Sequence, residues 1–439
     1  MINKISYFFI FLIIILPITL ITGPAIPDLT VTFSSIFFII YFFMKNEINK
    51  LIYYNLFKFS FIFWFFLLFI SVFAENLSLA YRDSLIFIRF LIFPIILYLL
   101  ILENKNLLNI LINIIFFSVI FVCIDSIYQF LNYDPEYGFG KDIFGFTPNW
   151  YGRLTGPFYN ELVPGAFVSK LGLIGIIFIF NKFQNIKTQN MIMIIYLTLI
   201  GIVTFISGER MSFLTFLLGI FLLVIFYRHK RMIFFFSLLS ILLANLFIYK
   251  TYPFYNDYKI LESTPHHLGL KIEKEYKCND SQGMCKKILN LQPTFFEVLK
   301  NFDQSAYGQI YILSLKMFND HKLQGIGLNN FTYLCKNDDR YKNTMTNYNC
   351  TTHPHNYYLQ WLVETGVFGF LLFILYLYFV VNFIIRKSSN NYSILSIAVI
   401  VILFWPIMST GSLLKNWNGI MTFFIIGLCL SLSKIKQKN

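Results

Sequence analysis

Charge is what this sequence has least of. Only 13% of its 439 residues are Asp, Glu, Lys or Arg, while 57% are hydrophobic. A soluble domain of this length could not hide so much apolar surface. The deficit therefore excludes a soluble enzyme or binding module. No tandem repeat is visible, which counts against the internally symmetric architectures of many transporters. Histidine is also scarce, with six in the chain. The pair His353 and His355 alone is a weak basis for a metal site. After the first apolar run the segment Thr22-Gly23-Pro24-Ala25 lacks a clear small-residue cleavage site, so that run reads as a retained span and not a signal peptide.

What is present is apolar length. Runs long enough to cross a bilayer lie near 5–22, 29–43, 56–73, 84–102, 107–131, 162–180, 191–207, 211–227, 231–249, 366–385, 393–411 and 417–432, which predicts an all-α polytopic membrane protein of about twelve spans. The organisation expected is spans one to nine in 1–249, a loop region with an interfacial helix in 250–365, and spans ten to twelve in 366–439. A formal charge of +13 would suggest nucleic acid in a soluble chain. Here the basic residues lie between apolar runs, so they report topology and not nucleic-acid binding. With the N-terminus in the cytoplasm, the cytoplasmic segments hold roughly three times as many Lys and Arg as the short outer loops. Those outer loops carry Arg82, Lys141, Arg153, Arg210 and Lys415. Both termini are then cytoplasmic, and the long loop from Lys250 to about Thr365 is extracytoplasmic. Cysteine usage agrees. Cys278, Cys285, Cys335 and Cys350 all fall in that loop, and an even number there reads as disulfides. Three pairings are possible, and easy loop closure favours Cys278 with Cys285 and Cys335 with Cys350.

Charged residues inside spans are costly and usually have a partner or a task. Arg89 and Asp125 lie at matching depth in consecutive spans, so they are expected to pair. Arg82, Arg89, Arg153, Lys170 and Arg210 all approach the outer leaflet, a placement that the positive-inside rule disfavours. A cationic collar of this kind suits an anionic lipid headgroup such as a phosphate or pyrophosphate. The plainer reading is that each one snorkels or pairs with Asp83, Asp125 or Glu209. In the long loop, Tyr307, Ile310, Leu313, Ser314 and Met317 fall at helical spacing, and Asn329 or Asn330 is positioned to cap a short helix. Pro354 breaks the chain, so His355 should open the next helix near the arginines, with Glu364 further along it. A histidine there is a candidate general base for a sugar hydroxyl. A helix cap and a metal ligand are the competing readings.

At these residues the chain resembles a known family. Gly325-Ile-Gly327-Leu-Asn-Asn-Phe331, His353-Pro-His355-Asn-Tyr-Tyr-Leu359 and Glu364-Thr-Gly366-Val-Phe-Gly369 are similar to the signature of the O-antigen ligase and O-antigen polymerase superfamily. The turn Ser207-Gly-Glu-Arg210 and the segment Arg153-Leu-Thr-Gly156-Pro-Phe-Tyr-Asn160 resemble its two arginine loops. The resemblance implies a GT-C-like membrane glycosyltransferase of the bacterial inner membrane. The donor would be a glycan on undecaprenyl pyrophosphate. The acceptor would be lipid A–core for a ligase, or another lipid-linked glycan for a polymerase. No metal, cofactor or nucleotide sugar is implied. Arg153 and Arg210 would hold the pyrophosphate, and His355 would activate the acceptor hydroxyl. Arg82, Arg89, Lys170, His353, Asn356 and Glu364 would contact substrate. Where many relatives carry an arginine, this chain has Tyr307-Gly308-Gln309, so Lys316 or Arg340 is the expected stand-in. The His-Pro-His-Asn form favours a ligase. A transporter of lipid-linked or anionic substrates is the rival of another class.

Overall fold

A computed structural model describes residues 2–133, 138–150, 152–256, 300–342, 349–386, 391–407 and 409–434. Every element among them is helical. In a bilayer the backbone must satisfy its own polar groups, so long apolar runs become helices. The numbered helices are α1 (Ile2–Ile14), α2 (Leu16–Thr22), α3 (Ala25–Met44), α4 (Asn55–Ile70), α5 (Leu77–Glu103), α6 (Lys105–Leu131), α7 (Pro164–Lys182), α8 (Ile186–Ile206), α9 (Arg210–Phe226) and α10 (Arg231–Thr251). After the long loop's first part come α11 (Ala306–Asp320), α12 (Phe331–Asn337), α13 (Tyr357–Arg386), α14 (Asn391–Leu403) and α15 (Asn416–Leu432).

Each of the twelve apolar runs thus holds a helix, although in the run 393–411 it ends at Leu403. By length and composition, eight helices among the described residues can cross a membrane, or nine if the bent pair α1–α2 is one span. The helices Arg210–Phe226, Tyr392–Leu403 and Asn416–Leu432 are shorter, at most about 25 Å long against a hydrocarbon core of about 30 Å. The expected twelve spans therefore reduce to eight or nine of full length. The break in the first run is a 57° bend. Pro17 in the first turn of α2 removes a backbone donor there. The centre of the bundle is α5, buried almost continuously from Phe90 to Ile101 and packed along α15. Around it α6 packs on α7, and α8 on α10.

The loop region has its own small core of Ile310, Leu313, Met317, Ile326, Phe331, Leu334, Tyr341 and Val363. The expected amphipathic helix is α11. Cys335 and Cys350 form a disulfide with Cα atoms 5.8 Å apart, as closure entropy favoured. Cys278 and Cys285 lie outside the described residues. Two hooks tie this region to the bundle. Helix α13 is broken at Gly366, whose φ of +66° suits glycine and few other residues. The break lets Val367 N–H donate to Lys322 O at 2.9 Å, while Ile326 and Gly327 N–H donate to Val363 O and Glu364 O at 3.0 and 2.9 Å. A Cβ on Gly366 would lie 2.1 Å from Leu323 O. Asn330 stands at the N-cap position of α12 but makes no capping bond. Its Oδ1 instead accepts from Asn76 N–H at 2.9 Å, at the start of α5.

The expected Arg89–Asp125 pair does not form. Arg89 Nη2 pairs with Asp28 Oδ1 at 2.8 Å, and its guanidinium also donates to Thr32 Oγ1 and Asn416 Oδ1. Asp125 Oδ1 accepts from Ile143 N–H at 2.8 Å. Depth along neighbouring helices set only the height of these charges, whereas α3 and α15 pack on the α5 face that carries Arg89. Truncating Asp28 leaves a mostly buried guanidinium unpaired. Asp28→Ala should therefore destabilise the detergent-solubilised protein by about 3 kcal/mol, and replacing both partners with apolar residues should recover most of that loss. Unfolding midpoints of the two variants check it. An Asp28→Ala midpoint equal to that of the parent contradicts it.

Candidate active site

Two turns meet at one end of the bundle. The turn after α8 carries Arg210, and the loop after α6 carries Arg153. Leu154 N–H donates to Ser207 O at 3.2 Å. Gly208 has φ +75°, and a Cβ there would lie 2.7 Å from Gly152 O and 3.2 Å from Arg153 Cγ. The two backbones thus touch directly. Gln129 of α6 fixes the second turn from below. Its Oε1 accepts from Thr155 and Gly156 N–H at 3.0 and 2.9 Å, and its Nε2 donates to Thr155 Oγ1 at 3.2 Å.

These turns form one wall of a cavity of about 2150 Å³. Arg82, Arg153, Lys170, Arg210, His353, His355 and Asn356 all line it. Seven of the nine expected site residues therefore share one chamber. Arg89 and Glu364 are not on its wall. Arg89 is spent on Asp28. Glu364 is buried under the loop, where Gln360 Nε2 donates to its Oε1 at 3.2 Å and the backbone of Asn329 reaches it. The cations differ in their surroundings. Arg82 Nε pairs with Asp83 at 2.8 Å. Arg153 Nη2 donates to Leu162 O at 3.4 Å, while its Nε is buried without a partner. Lys170 makes no hydrogen bond or ion pair among the described residues, although Glu209 acts on it electrostatically. Glu209 lies on the same wall, and burial raises its pKa against the pull of Arg153, Ser212 and two backbone N–H groups.

The histidines form a close, tilted pair, with ring centroids 4.0 Å apart and planes at 39°, and Tyr307 lies 5.9 Å from His355. His353 Nε2 lies 3.2 Å from Thr410 O, and Thr352 Oγ1 lies 2.8 Å from its Nδ1. A carbonyl only accepts, so Nε2 carries the proton and Nδ1 accepts from the hydroxyl. Burial lowers both imidazole pKa values, that of His353 to about 3, with the Thr410 carbonyl opposing. Both rings are therefore neutral near pH 7. His355 does not open a helix. Its φ is +55°, a conformation rare for a non-glycine residue, and Thr410 N–H holds it by donating to His355 O at 2.7 Å. The helix begins at Tyr357, and Asn356 caps it by accepting from Leu359 N–H at 3.1 Å while donating to Pro406 O at 2.8 Å.

Neither expected stand-in for the missing arginine lines the cavity. Lys316 Nζ donates to Arg340 O, and Arg340 is paired with Asp338. Tyr307, Tyr311, Asn329 and Lys415 line it instead. Lys415 was visible in the sequence only as one more charge in a short outer loop. Nothing local signalled that it shares the cavity with the histidines and acts electrostatically on His353, nor that Thr410 holds them.

Residues 193–374 match the family model described as O-antigen ligase. Over this stretch the chain is similar to an O-antigen ligase domain. The domain runs from within α8 to within α13 and contains Arg210, the loop region, both histidines and Glu364. Arg153 and Lys170 lie before it. No curated protein matches the chain. Because the domain's arginine turn rests on Gly152 of the preceding segment, Gly208→Ala should push the two turns apart. A loss of about 1–3 kcal/mol in unfolding free energy is expected. A variant with full stability contradicts the docking.

Proposed function

We propose that this protein transfers a glycan from undecaprenyl pyrophosphate to lipid A–core at the periplasmic face of a bacterial inner membrane. The observation that carries the reading is the sharing of one cavity by Arg153, Lys170 and Arg210 with the adjacent rings of His353 and His355. The distribution of Lys and Arg along the chain supports the orientation, with both termini cytoplasmic.

The chemistry follows from charge. The acceptor hydroxyl oxygen attacks the anomeric carbon of the donor's first sugar. The bond from that carbon to the phosphate oxygen breaks, and lipid pyrophosphate leaves with the bonding pair. Arg153, Arg210 and Lys170 stabilise the charge that develops on the leaving group. Neutral His355 takes the hydroxyl proton and later releases it to water. Its backbone, fixed by Thr410, and its contact with the His353 ring hold the imidazole ready, so little reorganisation is left to the reaction. Arg82, His353 and Asn356 complete the substrate-facing wall.

An O-antigen polymerase extending lipid-linked repeats uses the same groups, and the His-Pro-His-Asn segment favours the ligase. Deleting the gene and separating the host's lipopolysaccharide on a gel distinguishes them. Bare core with accumulating lipid-linked polymer means a ligase, and core with a single repeat means a polymerase. His355→Ala should fail to complement the deletion at normal protein level, since a lost base removes transition-state help more than binding. The lowered His355 pKa also has a sign. The ring stays deprotonated as pH falls through the ordinary imidazole value of 6.5, so transfer should hold its rate there and decline only below it. Full complementation by His355→Ala, or a rate already halved at the ordinary value, overturns the assignment.

A further inference from the structure

Glu209 belongs to the turn that carries Arg210, and its side chain reaches the start of α7. Gly165 N–H donates to its Oε1 at 2.7 Å, Ala166 N–H to its Oε2 at 3.1 Å, and Ser212 Oγ to Oε2 at 3.0 Å. The carboxylate thus occupies the N-terminal end of α7, where free backbone N–H groups and the helix dipole favour an anion. Arg153 and Lys170 both act on it electrostatically, and all three line the cavity. The fit is close, since a Cβ on Gly165 would lie 2.9 Å from Glu209 Oε1.

We infer that Glu209 is a positioning residue: a built-in anion that holds Arg153 and Lys170 at fixed places on the cavity wall and keeps the turn carrying Arg210 seated on α7. This rests on the pyrophosphate-donor reading above. Cations gathered in an apolar bundle repel one another unless an anion stands among them. A fixed carboxylate keeps them apart and oriented before the donor arrives. It also repels the incoming pyrophosphate, so it weakens donor binding while improving the geometry of transfer. Removing its charge should move binding and turnover in opposite directions. A residue that only capped α7 would lose both together.

The test uses the full chain in lipid nanodiscs, with undecaprenyl pyrophosphate as the binding probe, and initial transfer rates in membranes of the deletion host. Glu209→Gln keeps an acceptor oxygen but no charge. It should bind the probe about three- to tenfold more tightly and transfer glycan at least about tenfold more slowly. Glu209→Asp keeps the charge on a shorter stem. It should bind like the parent yet transfer more slowly, and it carries the test if the Gln variant does not fold. Unchanged transfer in either variant overturns the proposal. Parallel loss of binding, transfer and melting temperature in Glu209→Gln reduces the residue to a helix cap and overturns it too. If the parent itself does not bind the probe, the donor reading falls and this inference falls with it.

Discussion

The direct backbone contact between two turns is the constraint on which the rest of this structure depends. Ser207 and Gly208 rest on Gly152 and Leu154, and that contact brings cations from distant parts of the chain onto one wall. Neither turn could hold its place alone. One is pinned to α6 through Gln129 and the other to α7 through Glu209. Polar bonds of this kind are costly to break inside an apolar bundle, so they hold the two turns in place. The apolar body of the bundle supplies the low dielectric in which a few cations act strongly.

The opposite wall is built by a different device. The loop region would be free to drift if it were joined to the bundle only by its ends. The break at Gly366 lets residues 322–327 bond to the exposed backbone of α13, and Asn330 reaches the start of α5. Glu364, buried beneath this seam, belongs to the anchoring and not to the cavity. His355 is then set by Thr410, in the segment before α15, and by the ring of His353. His355 and the cations are thus held by separate elements that converge on one chamber.

Much of this was legible in the sequence, for physical reasons. A long apolar run in a membrane has one stable form, so each of the twelve runs holds a helix. Charges that the bilayer disfavours mark a task, and Arg82, Arg153, Lys170 and Arg210 do line the cavity. Short cysteine spacing in a polar loop anticipated the Cys335–Cys350 bridge. Partners were not legible. Arg89 found Asp28 and not Asp125, because helical depth fixes height but not which helix stands alongside. Lys415 and Thr410 carried no local signal, since their roles come from packing across more than fifty residues. His355 was expected to open the helix, which begins instead at Tyr357, because the left-handed backbone after Pro354 is held by Thr410 and not set by local preference.

The central claim is that the arginine turns hold a lipid pyrophosphate while His355 faces the sugar to be transferred. An experimental structure of the His355→Ala protein with a lipid-pyrophosphate-linked glycan bound tests it most directly. The account predicts the two phosphates between Arg153 and Arg210, with the first sugar ring directed toward the position of the removed imidazole. Phosphates bound elsewhere on the protein, or a sugar directed away from residue 355, would contradict it.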